Sequence, residues 1–575
     1  MRVRKAVSRG CEHYAIIQDI NISGKRTTKI YENLGNWKNI IERAGNEDPN
    51  IWLKNYVDNI NLLYKKEKQK IIIEKNPIKI IDKNINNSVC IGYFFLKKIY
   101  YGLGLDKICT KIQMRYKIEY DLNNILSNLI YSRILYPSSK KKTQELSKNY
   151  LFSQDFDLHQ IYRSLDVIAE NSDFIQSELY KNSKKYAKRN DKILYYDCTN
   201  YFFEIEQESG LRQYGFSKEH RPNPIVQMGL FLDADGIPLA FNINAGNTNE
   251  QITLQPLEEK IINDFKHSRF VVCTDAGLAS IENRKFNNVN NRAFITVQSV
   301  KKLKSHLKEF SLDLTKGWRV YGSDTEYDLS VLREKEELIE KYKDIVFYKE
   351  RWIKENGLEQ RLIVTYSVKY QEYQKRIREK QIVRAMQMIE KNPKKLTKVK
   401  ANDPRRFIDT TNFTENGEIA KNNSFSLNED LIREEMKYDG IYAVCTNLED
   451  SVEDIIRVNR RRWEIEESFR IMKSEFKARP VYLSKDNRIE AHFATCFLAL
   501  VVFRYLEKIT EEKYTVCELI ETLKNMNMMT EKDFYLPIYT RTSITDFLHE
   551  KFGFRTDYEA TTRNNMEKIN TLTKS

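Results

Sequence analysis

The chain has 575 residues, which is too many for one hydrophobic core and predicts several domains. Lysine and arginine number 95 against 81 acidic residues, and the net charge of +14 suits a polyanionic partner such as nucleic acid. Eight scattered cysteines and seven dispersed histidines show no zinc-ligand spacing and are typical of a reducing compartment. The N-terminus lacks the apolar core of a signal peptide, and the longest apolar run, 493–503, predicts a buried helix too short for a bilayer. A soluble intracellular protein with no membrane partner is expected.

The chain opens with a predicted β-hairpin. Two strand-like runs, 14–20 and 27–31, flank a turn at 23–25. The hairpin carries Arg26 and Lys29. A Lys-rich helical stretch then runs to about residue 75, and we interpret 1–80 as a region that binds DNA ends.

A second helical stretch extends from 91 to about 187. Its main break is predicted at 137–139 together with a run of three lysines, 140–142. We interpret 81–190 as a helical DNA-binding region. The alternative is a generic helical domain with solvated lysines.

At Lys192 the hydrophobic period changes from helical to strand-like. Short apolar runs joined by polar turns predict an antiparallel meander, and two further strands follow after a helical stretch. The first apolar run is expected to end at Asp197 and to resume as a second strand through Phe203. The meander continues at 225–232 and 237–243, and the later strands are expected at 269–274 and 291–297.

Two aspartates, Asp197 and Asp275, each stand at the C-terminal end of a hydrophobic strand. In an open α/β sheet, functional sites are built at these strand ends. Mg²⁺ prefers hard oxygen ligands, and phosphodiester chemistry uses two such ions about 4 Å apart. The two residues therefore indicate a metal site, while the alternative for each is an ordinary strand-end turn or cap.

The stretch 452–476 contains no glycine or proline and predicts one long helix with Ser451 as its N-cap. At about 100° per residue, Arg462, Glu466 and Lys473 fall on one polar line beside an apolar arc. Glu466 lies at the boundary between the polar line and the apolar arc, which predicts a half-buried carboxylate flanked by cations. A metal site beside a phosphate backbone needs such a carboxylate. A solvated helix face with spaced ion pairs is the alternative. The apolar arc consists of Ile465, Phe469, Met472 and Phe476.

Several segments occur together in the order found in bacterial insertion-sequence transposases. They are YYDCTNYFFE, LRQYGFSKEHRPNPIVQMGLFLDADGIPL, NAGNTNEQITL, VVCTDAGLAS, DGIYAVCTN and RWEIEESFRIMKSEFKARPVY. The chain resembles the DDE class, in the IS-four superfamily, over roughly 190–510 and more loosely in its N-terminal hairpin. The resemblance implies a multi-domain α/β protein. Its RNase H-like catalytic core would be interrupted by a mainly β insertion domain, with helical N-terminal and C-terminal regions.

The family's catalytic triad maps onto Asp197, Asp275 and Glu466, with spacings of 275 − 197 = 78 and 466 − 275 = 191 residues. The resemblance implies that these carboxylates are the catalytic residues and the ligands of two Mg²⁺ ions, which Mn²⁺ can replace. The family's Tyr-x2-Arg-x3-Glu-x6-Lys signature matches at Arg462, Glu466 and Lys473. Asn459 stands where the family has Tyr, although its amide can still hydrogen-bond a phosphate.

The resemblance also divides the rest of the chain. It places the two parts of the core at 191–297 and 439–510, the insertion domain at 298–438 and a C-terminal helical region at 511–575. Within the insertion, strands are predicted at 319–321, 345–353 and 360–368, and a charged helix at 371–390.

Six residues are candidate DNA contacts. They are Asn459, Arg462, Arg470 and Lys473 on the predicted motif helix, and Trp318 and Trp352 in the insertion. In some relatives an insertion tryptophan stacks on a base flipped out at the transposon end, whereas a tryptophan in a β segment is more often core. The sequence does not choose between these two roles or between the two tryptophans.

The resemblance implies cut-and-paste transposition. The enzyme would bind the ends of its insertion sequence, cleave them by two-metal-ion phosphodiester hydrolysis and join the 3′-hydroxyls to target DNA. Double-stranded DNA would be the partner, with a homodimer in the DNA complex and a cytoplasmic, nucleoid-associated location in a bacterium. Two alternatives stay open: a metal-dependent DNA nuclease without strand transfer, and a catalytically inactive DNA-binding descendant.

Overall fold

A nine-stranded mixed sheet organises the larger of two compact units in the computed structural model. The units comprise residues 1–85 and 86–575. The structure describes residues 1–8, 10–22, 25–68, 77–78, 80, 83, 86–289, 291–333, 336–391, 403–413 and 422–575. These residues form a mixed α/β, multi-domain protein, as expected from the sequence.

The strands are β1 Arg2–Ser8, β2 Cys11–Ile22, β3 Lys25–Gly35, β4 Ser88–Cys90, β5 Ile193–Phe202, β6 Ile225–Asp233, β7 Pro238–Ala245, β8 Phe270–Thr274, β9 Arg292–Val297, β10 Arg319–Val320, β11 Val346–Glu355, β12 Leu358–Ser367, β13 Ile408–Phe413, β14 Asn422–Leu427, β15 Ile441–Thr446, β16 Asn527–Glu531, β17 Phe534–Pro537 and β18 Thr561–Thr562. The α-helices are α1 Trp37–Ala44, α2 Pro49–Lys68, α3 Tyr93–Gly102, α4 Leu105–Tyr116, α5 Leu122–Leu135, α6 Lys140–Ser147, α7 Leu158–Glu170, α8 Ser172–Tyr186, α9 Leu254–Asn263, α10 Ile281–Phe286, α11 Ser305–Leu312, α12 Glu336–Lys341, α13 Val368–Lys391, α14 Glu429–Met436, α15 Val452–Arg460, α16 Trp463–Arg470, α17 Asp486–Ile509, α18 Val516–Asn525, α19 Ser543–Phe552 and α20 Arg563–Leu572.

The smaller unit is a three-stranded antiparallel sheet, in the order β1-β2-β3, followed by α1 and α2. The predicted hairpin is confirmed as β2 and β3, while turn residues 23 and 24 lie outside the described residues. Arg26 and Lys29 both lie in β3. The sequence prediction misses β1 because charged residues interrupt the apolar alternation of this edge strand. The small core contains Tyr14, Ile16, Leu34, Ile40, Leu53, Val57 and Ile60.

In the larger unit, β5, β6 and β7 form the predicted antiparallel meander. The predicted strands β8 and β9 lie on the other side of β5, and each pairs in parallel with its neighbour. The turn between β6 and β7 requires Gly236, whose φ is +75°, because a side chain there would also clash with the Glu464 carboxylate. The resulting order, β7-β6-β5-β8-β9, puts β5 at the centre of the five strands.

The segment 298–438 extends this same sheet. Beyond β9 follow β15, β12, β11 and β10, and all four pairings are antiparallel. The strands predicted in this segment are confirmed as β10, β11 and β12, and the charged helix as α13. The hairpin of β13 and β14 forms a separate two-stranded sheet.

The helix α17 is the buried centre of the helical layer. It contains the predicted buried stretch 493–503 but is longer than that run, with 24 residues. Its length and hydropathy would allow it to cross a bilayer, yet 94% of its most apolar window is buried inside the protein. It packs against α3, α5 and α7, so the helices predicted for 91–187 share a hydrophobic core with the sheet.

The region after 511 is only partly helical, which corrects the sequence prediction. The helices α18, α19 and α20 alternate with β16, β17 and β18, which form a four-stranded sheet with β4. Asn527 of β16 pairs with Cys90 of β4. The sequence pattern does not reveal this sheet, because its strands are short and one partner comes from the other end of the chain.

We predict that the buried Glu258 makes the free energy of unfolding depend on pH. This side chain on α9 is 0% exposed and accepts a hydrogen bond from the Asn287 amide at 2.7 Å. Burial raises its pKa to about 8, from an ordinary value of 4.5. Between these two pH values the unfolded chain releases a proton that the folded chain retains, so stability falls as pH rises.

The substitution Glu258→Gln should therefore gain on the order of 2 kcal/mol in unfolding free energy, relative to wild type, between pH 5.5 and 8. Denaturant unfolding across this range measures the difference. The exposed neighbour Glu259 supplies the control, and Glu259→Gln should follow the wild-type curve. A constant difference between Glu258→Gln and wild type at all pH values would show that Glu258 is ionised in the folded protein.

Candidate active site

Asp197 and Asp275 lie on neighbouring parallel strands. In the pairing of β5 with β8, Tyr195 is opposite Cys273. Continuing this register by two residues places Asp197 opposite Asp275, which directly follows the last residue of β8. Parallel pairing thus brings the two carboxylates close, but Asp197 is the fifth residue of the ten-residue β5, so its predicted position at the end of a strand is wrong.

Asp197 is held in a strongly charged environment. Burial, together with the nearby Asp275, raises the pKa of its carboxyl group to about 6. Lys218, the backbone N–H of Cys198 and Arg462 oppose this shift. The Cys198 N–H donates to Asp197 Oδ1 at 2.7 Å, so one oxygen is already oriented by the backbone.

Asp275 shapes the turn that follows β8. Its Oδ1 accepts from the N–H groups of Gly277 at 2.9 Å and Leu278 at 3.1 Å. These bonds form the strand-end turn that the sequence predicts as the alternative to a metal ligand at this position. The bonds occupy one carboxylate oxygen, and Oδ2 stays available for another contact.

Lys218 is a site residue that the sequence reasoning missed. Its Nζ lies 3.0 Å from Glu250 Oε1 and donates to the Cys198 carbonyl at 2.5 Å. Burial lowers its pKa, but the nearby Asp197 and Glu250 outweigh that effect and raise it. Lys218 occurs in one of the shared sequence segments, which was the available signal for its role.

The predicted long helix 452–476 is broken into three parts. The helix α15 ends at Arg460, α16 begins at Trp463, and a π-helical turn follows at Ile471–Glu475. The predicted N-cap is confirmed, because the Ser451 side chain accepts from the Asp454 N–H. The apolar arc is also confirmed: Ile465, Phe469, Met472 and Phe476 are all buried.

The break changes which carboxylate of this segment is buried. The Glu466 side chain is 66% exposed, so the predicted half-buried position is wrong. The buried carboxylate is Glu464, which pairs with Arg461 at 2.7 Å. The predicted polar line assumes one uninterrupted helix. The α-helix is interrupted at Arg461 and Arg462, so residues after the break do not have the predicted orientation relative to those before it.

The structure brings Asp197 and Asp275 together but leaves Glu466 apart from them. Glu466 Oε1 lies 3.7 Å from the Arg462 guanidinium. In the part of the chain that the structure describes, no group of three or more His, Cys, Asp or Glu side chains is placed to hold a metal ion. Arg462 links the two halves of the site, because its charge also acts on Asp197.

Lys473 lies in a cluster of cations around Glu219. Its Nζ lies 3.4 Å from Glu219 Oε1 and 5.4 Å from the centre of the Tyr201 ring. Arg479 and Arg221 contact the same carboxylate. Burial and the nearby Lys218 lower the pKa of Lys473 to about 8, while Asp197 opposes the shift.

Two other predicted DNA contacts on this segment differ in exposure. Asn459 is buried, and its amide donates to the Tyr442 hydroxyl at 2.8 Å. The predicted DNA contact through Asn459 is therefore not available in this structure. Arg470 is 54% exposed and pairs with Glu467 at 3.2 Å, so its DNA contact stays a prediction.

The structure separates the two tryptophans of the insertion. Trp318 is 0% exposed and donates its Nε1–H to the Asp313 carbonyl at 2.9 Å. It is a core residue, and stacking of Trp318 on a base is excluded in this conformation because its ring is fully enclosed. Trp352 on β11 is 45% exposed and is the one of the two whose ring can accept a base.

Substitution of each tryptophan by leucine should separate these roles. Trp318→Leu should lower the unfolding free energy by about 2–4 kcal/mol, because it leaves a cavity and removes one of the two hydrogen bonds that the Asp313 carbonyl accepts, the other coming from Lys349. Trp352→Leu should change stability by less than about 0.5 kcal/mol but weaken DNA binding by about 1–3 kcal/mol through loss of stacking. Denaturant unfolding and DNA titration measure the two effects. Unchanged DNA affinity of Trp352→Leu would remove it from the interface.

The transposase DDE domain family matches residues 202–502, which are 301 of the 575 residues and just over half of the chain. The match includes Asp275 and Glu466 and begins five residues after Asp197 (202 − 197 = 5). No curated protein matches the sequence. Among solved structures, a piggyBac transposase synaptic complex with hairpin DNA, determined by cryo-EM, aligns over 84% of each chain at 8% identity, but its TM-score of 0.36 is too low to support an inference. The family match is sufficient: the chain belongs to the transposase DDE domain family.

Proposed function

We propose that the protein is a DNA transposase that binds the ends of its insertion sequence, cleaves them and joins the 3′-hydroxyls to target DNA. The observation that carries the proposal is the pair Asp197 and Asp275 on adjacent parallel strands, with Lys218 and Arg462 beside them. Such a site combines carboxylates for divalent cations with cations for phosphates. Membership in a transposase family supports DNA as the substrate.

The proposed catalytic core is RNase H-like and comprises 191–297 and 439–510. Its support is the order β7-β6-β5-β8-β9, in which three antiparallel strands are followed by two parallel ones. The segment 298–438 is the proposed insertion, and its main strands join the open edge of this core through β15. Such an arrangement keeps β5 central, where Asp197 is supported on both sides.

The carboxylates fit hard divalent cations such as Mg²⁺ or Mn²⁺. Asp197 and Asp275 would hold them, and Glu466 is the proposed third ligand, whose side chain must move because it now lies beside Arg462. Two bound ions would activate the attacking oxygen and stabilise the leaving oxygen of the phosphodiester.

The protein's own groups prepare this site for DNA. Asp197 must lose its proton to bind a cation, and the positive charge of Lys218 favours that ionised form. Arg462 carries a buried Nε without a hydrogen-bond partner among the described residues, so it retains a donor for a phosphate. Lys473 is held by Glu219 until a phosphate competes for it.

End recognition is assigned to 1–80 and 81–190. The strand β1 presents the exposed Arg4 and Lys5 on the smaller unit, and such side chains bind phosphates without reading sequence. We further propose a homodimer on DNA, since one site must serve each end of the element, and a cytoplasmic, nucleoid-associated location in a bacterium.

Two other functions use the same features. A metal-dependent nuclease would cleave without joining, and the site geometry is equally compatible with it. A catalytically inactive DNA-binding descendant is favoured only by the separation of Glu466 from the two aspartates. Incubation with the element's own ends and Mg²⁺, with cleavage and joining measured separately, distinguishes all three.

Removal of each ligand charge should abolish DNA cleavage while end binding persists. The variants are Asp197→Asn, Asp275→Asn and Glu466→Gln, and the physical reason is loss of a negative metal ligand. Gel assays of cleavage and binding measure the two activities. Glu467→Gln, beside Glu466 on α16, is the matched control and should cleave normally. Wild-type cleavage in Mg²⁺ by any of the three variants would refute the triad.

Loss of the neighbouring cations should produce a different defect. Arg462→Ala and Lys473→Ala should each weaken end binding and flatten its salt dependence by about one unit per phosphate contact. Lower salt or more protein should then partly restore cleavage by these variants, but never by Glu466→Gln. Equal and mild effects of all three substitutions would instead identify surface ion pairs worth about 0–1 kcal/mol each.

A further inference from the structure

A cavity of about 300 Å³ lies between the junction of α5 with α6 and the segment that follows the π-helical turn. All the charged side chains that line it are basic: Arg133, Lys140, Lys141, Lys477 and Arg479. No carboxylate is among the described residues of its wall. The rest of the lining includes two aromatic residues, Tyr162 and Tyr482.

Lys140 is the most unusual member of this lining. Only 6% of the residue is exposed, in contrast to the solvated lysine run that the sequence suggested as an alternative. Within the described part of the chain, its ammonium group forms no hydrogen bond or ion pair, whereas the nearby Lys142 pairs with Glu145 at 3.0 Å. Burying an unpaired cation is costly, and the fold provides no counter-charge for this one.

Arg133 adds a second buried cation. Its guanidinium donates to the carbonyls of Phe476 at 3.1 Å and Ser138 at 3.4 Å, while its Nε is buried with no partner among the described residues. Burial and this neighbouring charge lower the pKa of Lys140 to about 7. Both cations line this cavity, and none of the described residues in its wall is acidic.

The start of α6 faces the same space. Ser139 caps this helix by accepting from the Lys142 N–H at 3.2 Å, and both Ser139 and Lys140 line the cavity. The N-terminal end of a helix favours anions, because its backbone N–H groups are directed outward there. Helix polarity and side-chain charge therefore select the same class of ligand.

A row of cations connects this cavity with the candidate active site. Arg479, in the cavity wall, and Lys473 both contact Glu219. Lys218, which precedes Glu219 in the chain, is close enough to Asp197 for its positive charge to lower the pKa of that carboxyl group. A polyanionic strand that lies over Asp197 can follow these residues to the cavity.

We propose that this cavity binds a phosphate of a DNA strand that crosses the active site, with the adjoining nucleoside against Tyr162 and Tyr482. The identity of the strand rests on the proposed function, but phosphate binding itself requires neither metal nor cleavage. The aromatic wall favours a nucleotide over a bare anion, since base stacking on such rings contributes about 1–3 kcal/mol.

The test compares Lys140→Met with Lys142→Met in the full-length protein. Methionine fills the volume of the lysine stem without charge, so Lys140→Met should raise the melting temperature in the absence of phosphate. Inorganic phosphate, compared with chloride at equal ionic strength, should raise the melting temperature of wild type and Lys142→Met by about 2 °C. It should have no effect on Lys140→Met.

DNA binding is measured without divalent metal, using single-stranded oligonucleotides that carry either a 5′-phosphate or a 5′-hydroxyl. Lys140→Met should bind them about fivefold to tenfold more weakly than Lys142→Met does. If Lys140→Met loses more affinity for the 5′-phosphorylated oligonucleotide than for the 5′-hydroxyl one, the cavity binds the phosphate at a strand end. If the two losses are equal, it binds a phosphate within the backbone. A phosphate response without any loss of oligonucleotide binding would overturn the DNA assignment.

Equal behaviour of both variants in both assays would overturn the phosphate site altogether. These measurements do not involve cleavage, so their failure is distinct from failure of the transposase proposal. The protein could fail the cleavage test while Lys140→Met and Lys142→Met still differ in phosphate response and oligonucleotide binding. The cavity would then be a nucleotide site in a protein of another function.

Discussion

The parallel pairing of β5 with β8 is the constraint on which the candidate site depends. It sets Asp197 opposite Asp275, although 78 residues (275 − 197) separate them in the chain. The antiparallel neighbour β6 fixes β5 from its other side, and burial of these strands allows little freedom of register. A shift of one residue would turn Asp197 to the opposite face of the sheet.

Several cations around these aspartates share an acidic partner. Asp197 is held near Lys218 and Arg462, and Lys473 shares Glu219 with Arg479 and Arg221. Each cation therefore has either an incomplete or a shared partner. A phosphate could compete for these cations, because it would replace shared contacts with charge-assisted hydrogen bonds.

The break between α15 and α16 has a structural reason and a functional consequence. Glu464 turns inward to pair with Arg461 beside the tight turn at Gly236, and this contact anchors the start of α16 to the sheet. Two residues later, Glu466 stays outside with Arg462. The chain thus separates a buried carboxylate, Glu464, from an exposed one, Glu466.

Local sequence patterns account for most of the strands around the candidate site. The meander β5 to β7, the two later strands, the insertion strands and the Ser451 cap all follow from hydrophobic period and turn chemistry, which act over a few residues. The shared motifs also indicated the family, since they occur together and in order. Asp197 and Asp275 could be chosen because each follows an apolar run in the sequence, although only Asp275 stands at the end of its strand.

Which side chains are enclosed and which are exposed depends on tertiary packing. Burial depends on segments distant in the chain, so no local pattern shows that Trp318 and Asn459 are enclosed while Trp352 is exposed. The same holds for Lys140, which reads as one of three solvated lysines until α6 packs in the helical layer. The sheet of β4 with β16 is likewise invisible locally, because its pairing joins Cys90 to Asn527. Hydrophobic periodicity indicates the secondary structure of a segment. Contacts with distant segments determine which of its side chains are exposed to solvent.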